Sequence, residues 1–390
     1  MNFYKVIATF LTAAVALFAL NACGGSGGVP SSMPGASGNS VTQPLGTSAV
    51  DTDTSVDNDP DDNSSILDRL DDMKTIGSTV DPINGDQNPY GLDVAKIDAG
   101  KLERGDLVAC NFNDAANVQG NGTTIIALHP KVGATPLRIA QNASLKGCTE
   151  VALSSADDIW ASAFSANDNP IVGPDGTLFT TLAGGPWHGP FGQTFAPHAG
   201  PFGVAAFYES NAGDGSIVRI NISSGGAFTF DVIATGFPVN HGVPGSILGP
   251  SGLQYDSKHD RLFIVDGTNN ALYSFRHVST IPAGGITVSG TTFSGPFRKR
   301  AKLIFMGPPL NGPISSALFS NGHLALGNTL DPNGKNLMVE ITPHGKVLDV
   351  KNVDTGVGAA IFGMVATGEG HDTKLYFNDD NDNTVRVLAP

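Results

Sequence analysis

The sequence predicts an all-β fold, a six-bladed β-propeller, and three observations carry that prediction. The 390 residues include 49 Gly and 25 Pro, with Val, Ile, Thr and Phe frequent, a composition suited to many short strands and turns rather than to a helical bundle. From about residue 80 a Gly-led strand, a second apolar strand, an Asn/Asp/Gly turn and a third strand recur at intervals of roughly 45 to 60 residues, as propeller blades do. The last copy stops one strand short at Pro390, and the segment just before the first copy has the pattern to supply that strand and close the ring.

Taken in order, the chain begins with Lys5 and an apolar run from Val6 to Leu20. That run is short for a bilayer span, which needs about 20 residues, but suits an export signal. Leu20-Asn21-Ala22-Cys23, followed by Gly24, resembles the lipobox of bacterial lipoproteins. The resemblance implies a signal peptide over residues 1–22 and a lipidated Cys23 that anchors an extracytoplasmic domain to a membrane. With Gly24 rather than Asp after the cysteine, it implies the outer membrane of a diderm cell. The plainer outcome is an ordinary secretory signal with a chance cysteine.

Residues 23–72 read as a disordered acidic linker, because Gly, Ser, Thr, Pro and Asp bury too little surface to offset ordering entropy. Asp51 to Asp72 hold nine Asp and one Arg, more than half of the chain's net charge of −14. Such a run solvates the chain, or acts as a self-repelling spacer that holds the domain off an anionic membrane. A G-x-S-x-G match over Gly24–Gly28 lacks the flanking strand and helix of a nucleophile elbow. The calcium-loop-like start at Asp57 has Asp62 where Gly is required. Ser65 to Met73 could form a short helix on the rim.

Residues 73–390 form the repeat domain. Its clearest copy is Gly252 to Asp256, Arg261 to Asp266, the turn Gly267-Thr268-Asn269-Asn270, and Ala271 to Phe275. Period-2 alternation marks half-buried antiparallel strands, and the turns have hairpin chemistry. Further copies begin near Gly91, Gly147, Gly192, Gly312 and Gly363. Met73 to Val80 is expected to pair with Thr384 to Leu388.

The copy "GLQYDSKHDRLFIVDGTNNALYSF" resembles the NHL repeat of six-bladed propellers, and "LYFNDDNDNTVRVL" and "GDLVACNFNDAANVQGNGTTIIAL" resemble it more weakly. The resemblance implies a binding platform or, as in related six-bladed groups, a metal-dependent lactonase or lyase.

Links into the inner strands and loops between second and third strands should crowd one mouth of the central channel. Trp187, His188 and His198 in one link and Asn240 and His241 in another are the expected ligand-binding set, with Trp187 and Phe191 as stacking surfaces. Asn111, Asn113, Asp114, Glu209, Asn211, Asp266, Asn269, Asn328, Asp331 and Asn378 to Asp382 lie in the loops. Carboxylates, amides and imidazoles in a ring suit a divalent cation such as calcium, or sugar hydroxyls. The plainer reading is that Asn and Asp serve the turns themselves. Gluconolactonase-like propellers hold their metal through a Glu, Asn residues and an Asp; Glu150 fits the acidic role by its place on an inner strand, with Asp114 and Asp266 as further candidates. No H-E-x-x-H, P-loop, G-x-G-x-x-G or C-x-x-C is present, and no catalytic residue is assigned. Cys110 and Cys148 are expected either to staple adjacent blades by a disulfide or to remain two buried thiols.

The acidity excludes a nucleic-acid-binding role. The expected function is therefore a membrane-tethered extracytoplasmic module, monomeric, that binds an envelope protein or a small-molecule or carbohydrate ligand at the channel mouth. The alternative is a metal-dependent lactonase or hydrolase using the same mouth.

Overall fold

A computed structural model describes residues 63–200, 203–223 and 225–390. The export signal, Cys23 and nearly all of the acidic linker lie outside the described residues. The strand β1 (Asp72–Ser78) precedes the first blade, which comprises β2 (Gln87–Val94), β3 (Leu107–Asn113), β4 (Thr124–Leu128) and β5 (Leu137–Gln141). The second blade is β6 (Cys148–Leu153), β7 (Ile159–Ala163), β8 (Pro170–Val172) and β9 (Leu178–Thr181). The third is β10 (Pro190–Ala196), β11 (Ala206–Asn211), β12 (Ser216–Ile222) and β13 (Phe228–Thr235). The fourth holds β14 (Pro250–Asp256), β15 (Arg261–Asp266) and β16 (Ala271–Arg276), then a hairpin of β17 (Ile286–Ser289) and β18 (Thr292–Ser294), and last its outer strand β19 (Ala301–Met306). The fifth is β20 (Ser315–Leu318), β21 (Leu324–Gly327), β22 (Asn336–Ile341) and β23 (Val347–Asp354). The sixth supplies only β24 (Ile361–Thr367), β25 (Lys374–Asp379) and β26 (Thr384–Ala389) before the chain ends, and β1 completes it.

The inner strands β2, β6, β10, β14, β20 and β24 contact one another in a closed ring, which makes the fold a six-bladed propeller. Period-2 alternation does the work between blades. In β15, Leu262 and Ile264 pack toward the third blade while Phe263 and Val265 pack toward the fifth. At the axis the inner strands approach so closely that a Cβ on Gly192 would overlap the Ser251 carbonyl, and one on Gly363 the carbonyl of Tyr90. Gly91, Gly192, Gly252 and Gly363 lie within their inner strands, whereas Gly147 and Gly312 fall just before theirs.

The closing strand pairs as expected. β1 runs antiparallel to β26, with Met73 opposite Leu388 and Ser78 opposite Thr384. The ordered domain nonetheless begins earlier than residue 73. Leu67–Arg69 form a 3-10 turn, and Ile66, Leu67 and Leu70 are buried against Phe319, Met338 and Met364. Glu340 on β22 gathers this segment: its carboxylate accepts from Ser65 Oγ at 2.7 Å, from the N–H groups of Ile66 and Leu67 at 3.1 and 2.7 Å, and pairs with His323 Nδ1 at 2.7 Å. Those contacts hold the Glu340 carboxyl below its ordinary range, overcoming the opposing effect of its burial. Three apolar side chains spaced for one face, inside an acidic stretch, explain why the segment folds back instead of continuing the linker.

The hairpin β17–β18 was not expected. β17 adds in parallel to the end of β13, with Ala234 opposite Ile286, and extends the third sheet to six strands.

Candidate functional site

The face where the inner strands begin carries the inter-blade links and the turns between second and third strands. We call it the entrance face. Its axis is plugged. Tyr90 lies between Phe112 and Phe362, with ring centroids 4.2 and 3.9 Å away, and Phe191, Ile247 and Ile314 fill the rest. Burial and the negative charge of Asp380 push the Tyr90 hydroxyl well above its ordinary pKa, so it stays protonated. Beneath the plug a cavity of about 10 Å³, room for about one water centre, is lined by Thr149, Glu150, Gly192 and Ser315 among others.

The link between the third and fourth blades roofs part of this plug. Asn240 shapes it: Oδ1 accepts from Gly242 N–H at 2.8 Å and Leu248 N–H at 2.9 Å, and Nδ2 donates to the Ser246 carbonyl at 2.7 Å. The loop then sends Ile247 into the plug and brings Pro244 and Gly245 against Gly120 and Gln119 of the first blade. Asn240 is thus a loop-builder, and His241 stands exposed with a left-handed φ of 51°.

The other expected ligand residues separate in the same way. Trp187 is buried, donates its Nε1–H to the Leu182 carbonyl at 2.8 Å and packs edge-on against Phe230. It anchors its link and offers no stacking surface, and Phe191 belongs to the plug. His188 is exposed beside Asp214, with 3.8 Å between Nε2 and Oδ2. His198 follows β10, whereas His188 precedes it, so the two imidazoles lie at opposite ends of one seven-residue strand, roughly 23 Å long. The expected cluster of Trp187, His188, His198, Asn240 and His241 is therefore not one site.

The expected metal set also disperses. Asp114 caps its own turn, accepting from the N–H groups of Ala116 and Val118 at 3.0 Å, and these bonds lower its pKa. Asp266 accepts from Thr268 and Asn269 N–H, while burial pushes its carboxyl up to about 6. Both do turn work in separate blades. Among the described residues no three His, Cys, Asp or Glu side chains gather as metal ligands. The loop amides serve the backbone too: Asn211 bonds the Pro186 carbonyl, Asn328 the Pro309 carbonyl, and Asn378 the carbonyls of Tyr90 and Gly91.

Glu150 alone of that set faces the axis. Its Oε1 accepts from Leu92 and Val151 N–H, both at 3.1 Å, yet burial lifts its carboxyl to about 8. Glu209, on β11, is fully buried, and burial pushes it well above the ordinary carboxylate range, with the Glu150 charge adding to the effect.

The staple between blades is present. Cys110 and Cys148 form a disulfide with Cα atoms 6.0 Å apart, joining β3 to the start of β6.

Exposed aliphatic side chains stand on both faces, Val132 at 59% being on the opposite one, but the most exposed share the entrance face. The three most exposed large apolar side chains among the described residues, Val357, Ile83 and Val243 at 79, 71 and 70%, all stand on entrance-face links, with Val118 at 48% near Val243. Lys101, Arg104, Lys131, Arg298 and Lys299 project from loops of the opposite face, where Lys346 bonds Asn63, the first described residue. Sequence reasoning listed polar loop residues and passed over these aliphatic tips, since an isolated Val in a Gly-rich loop carries no signal of exposure.

No family model matches the chain, and no curated protein matches it. Solved structures similar to it include a catalytically inactive virginiamycin B lyase from Staphylococcus aureus with quinupristin, at 17% identity and a TM-score of 0.47, covering 82% of this chain and 85% of that one. A selenomethionine-substituted virginiamycin B lyase from Staphylococcus aureus matches at 18% identity and a TM-score of 0.47, with the same coverage. A streptogramin B lyase matches at 16% and 0.45, covering 82 and 87%. Likeness at this level assigns no activity and no residue role.

Proposed function

We propose that this chain is a membrane-tethered, extracytoplasmic binding module that docks an envelope protein on the entrance face of its ring. One observation carries the reading: Val357, Ile83 and Val243, the most exposed large apolar side chains among the described residues, share that face. Exposed aliphatic tips on a rigid frame are surface that a protein partner would cover. Loop tips set the contact; the ring supplies stiffness. The axis is filled by aromatic rings, so this face has no open channel at its centre. A lactonase would need to admit a sugar-sized substrate over its metal, and the axial space of about 10 Å³ is far smaller than the roughly 300 Å³ of an ordinary ligand pocket.

The test is retention of solubilised envelope proteins on the immobilised domain. Ile83→Asp, Val243→Asp and Val357→Asp combined should lower retention of a saturably bound protein by at least about tenfold, since each desolvated aliphatic contact is worth on the order of 1 kcal/mol. The thermal midpoint should stay within a degree or two, and Lys131→Glu on the opposite face should bind normally. Undiminished retention by the triple variant would refute the reading. Separately, Cys23→Ser should shift the full chain from the membrane pellet to the soluble fraction; a variant still pelleting with membranes would remove the lipid tether.

A further inference from the structure

Aligning the blades by register isolates one interface. The residue that resumes pairing after the inner-strand irregularity, together with its partner on the second strand, is Leu92 with Ala109, Leu253 with Ile264, and Met364 with Phe377 in the first, fourth and sixth blades. In the fifth, whose inner strand pairs without such an irregularity, Ser316 stands opposite Leu326. In the second and third blades both members are polar: Glu150 with Ser162, and Gln193 with Glu209. These four positions converge between the two blades. Phe195 and Phe207, which lie two residues from Gln193 and Glu209 on the same faces of their strands, pack with Ala152 and Trp160 of the second blade. Asn169, also from the second blade, donates to Glu209 Oε2 at 2.9 Å.

This polar level is buried and incompletely bonded. Ser162, Asn169 and Glu209 have no solvent exposure and Gln193 only 4%. Both ends of the Gln193 amide, Asn169 Oδ1, Ser162 Oγ and Glu209 Oε1 lack a well-formed hydrogen bond, although Ser162 and the Phe191 N–H lie close enough to oppose the rise in the Glu209 pKa. Unbonded polar atoms inside a core cost roughly 1–3 kcal/mol each, so a group that satisfies several at once gains strongly. The charge that raises Glu209 is that of Glu150, and the charge that raises Glu150 is that of Asp93.

We propose that the second and third blades bind one hard divalent cation of the calcium class between them, through the carboxylates of Glu150 and Glu209 and the side-chain oxygens of Gln193, Asn169 and Ser162. The donors are all oxygen, as calcium prefers and softer metals do not. Two carboxylates match a double positive charge, and the neutral amides complete the shell without adding repulsion. Without the ion, burial favours the protonated acids; the ion would displace both protons and be held by two carboxylates. Glu150 also lines the small cavity beneath the axial plug. This inference goes beyond partner docking, and its readout needs no partner.

The test uses the folded domain stripped with chelator and titrated with calcium chloride alone, followed by thermal midpoint and elemental analysis. One ion per chain is expected, with a midpoint rise of about 5 °C at hundredfold excess over the dissociation constant. Glu209→Gln should abolish both effects. Because it removes a buried acid, that variant should fold at least as well as the stripped parent, and Gln193→Leu serves as a second, apolar replacement that should weaken uptake at least tenfold. No calcium uptake by the parent, or uptake undiminished in Glu209→Gln, would overturn the assignment.

Discussion

A chain cut so that it starts at residue 79 should show no cooperative thermal transition and should aggregate at concentrations where the parent is monomeric. The cut removes β1, so β26 becomes an open edge whose N–H and C=O groups offer a template for another chain. It also removes Ile66, Leu67, Leu70 and Ile76, all buried, each of which contributes about 1.5–3 kcal/mol by burial. Their sum alone rivals the about 5–15 kcal/mol that stabilises an ordinary domain. Glu340 and His323 would be left buried without the backbone donors of Ile66 and Leu67. Differential scanning calorimetry of the truncated chain checks the point. A sharp transition within a few degrees of the parent would mean that the ring closes without its N-terminal strand.

Replacing Cys110 and Cys148 together by Ala should lower stability by about 4 kcal/mol, from the entropy of a loop with a 38-residue sequence separation. For a domain of this size that corresponds to a midpoint shift on the order of 10 °C. The bond ties the second strand of one blade to the inner strand of the next, so its loss should loosen the seam between the first and second blades before the rest of the ring. Melting with and without reductant, in parent and double variant, checks it. The parent with reductant should fall to the variant's midpoint; coincident midpoints under all conditions would show that the bond does not constrain the chain.

What the sequence disclosed and what it hid have separate physical causes. Period-2 runs such as Arg261 to Asp266 declare strands directly, because alternate side chains must face different neighbouring blades. The missing strand was visible as well, since "TVRVLAP" ends the chain without a fourth member. The cysteine pairing was one of two outcomes left open, and it forms although Cys110 lies in the middle of β3 and not at its end. Trp187 misled because its hydrogen bond runs to a carbonyl only five residues back, a local closure that composition does not report. His198 misled because the link and β10 were read as one loop, whereas the strand separates it from His188. The plug and its roof were hidden for another reason: Ile247 reaches Tyr90 across the ring, and nothing in a Gly- and Pro-rich link marks one apolar residue as an axial filler. Gln193 and Glu209 could have been noticed once the blades were aligned, as a polar pair at a level where the fourth and sixth blades place Leu with Ile and Met with Phe.

The account turns on which face of the ring meets its partner, and photo-crosslinking in intact cells of the source reads that directly. A photoreactive amino acid placed at Val243 or Val357 should give the same single adduct, while one at Val132 on the opposite face should give none. Adducts from position 132, or none from 243 and 357, would contradict it.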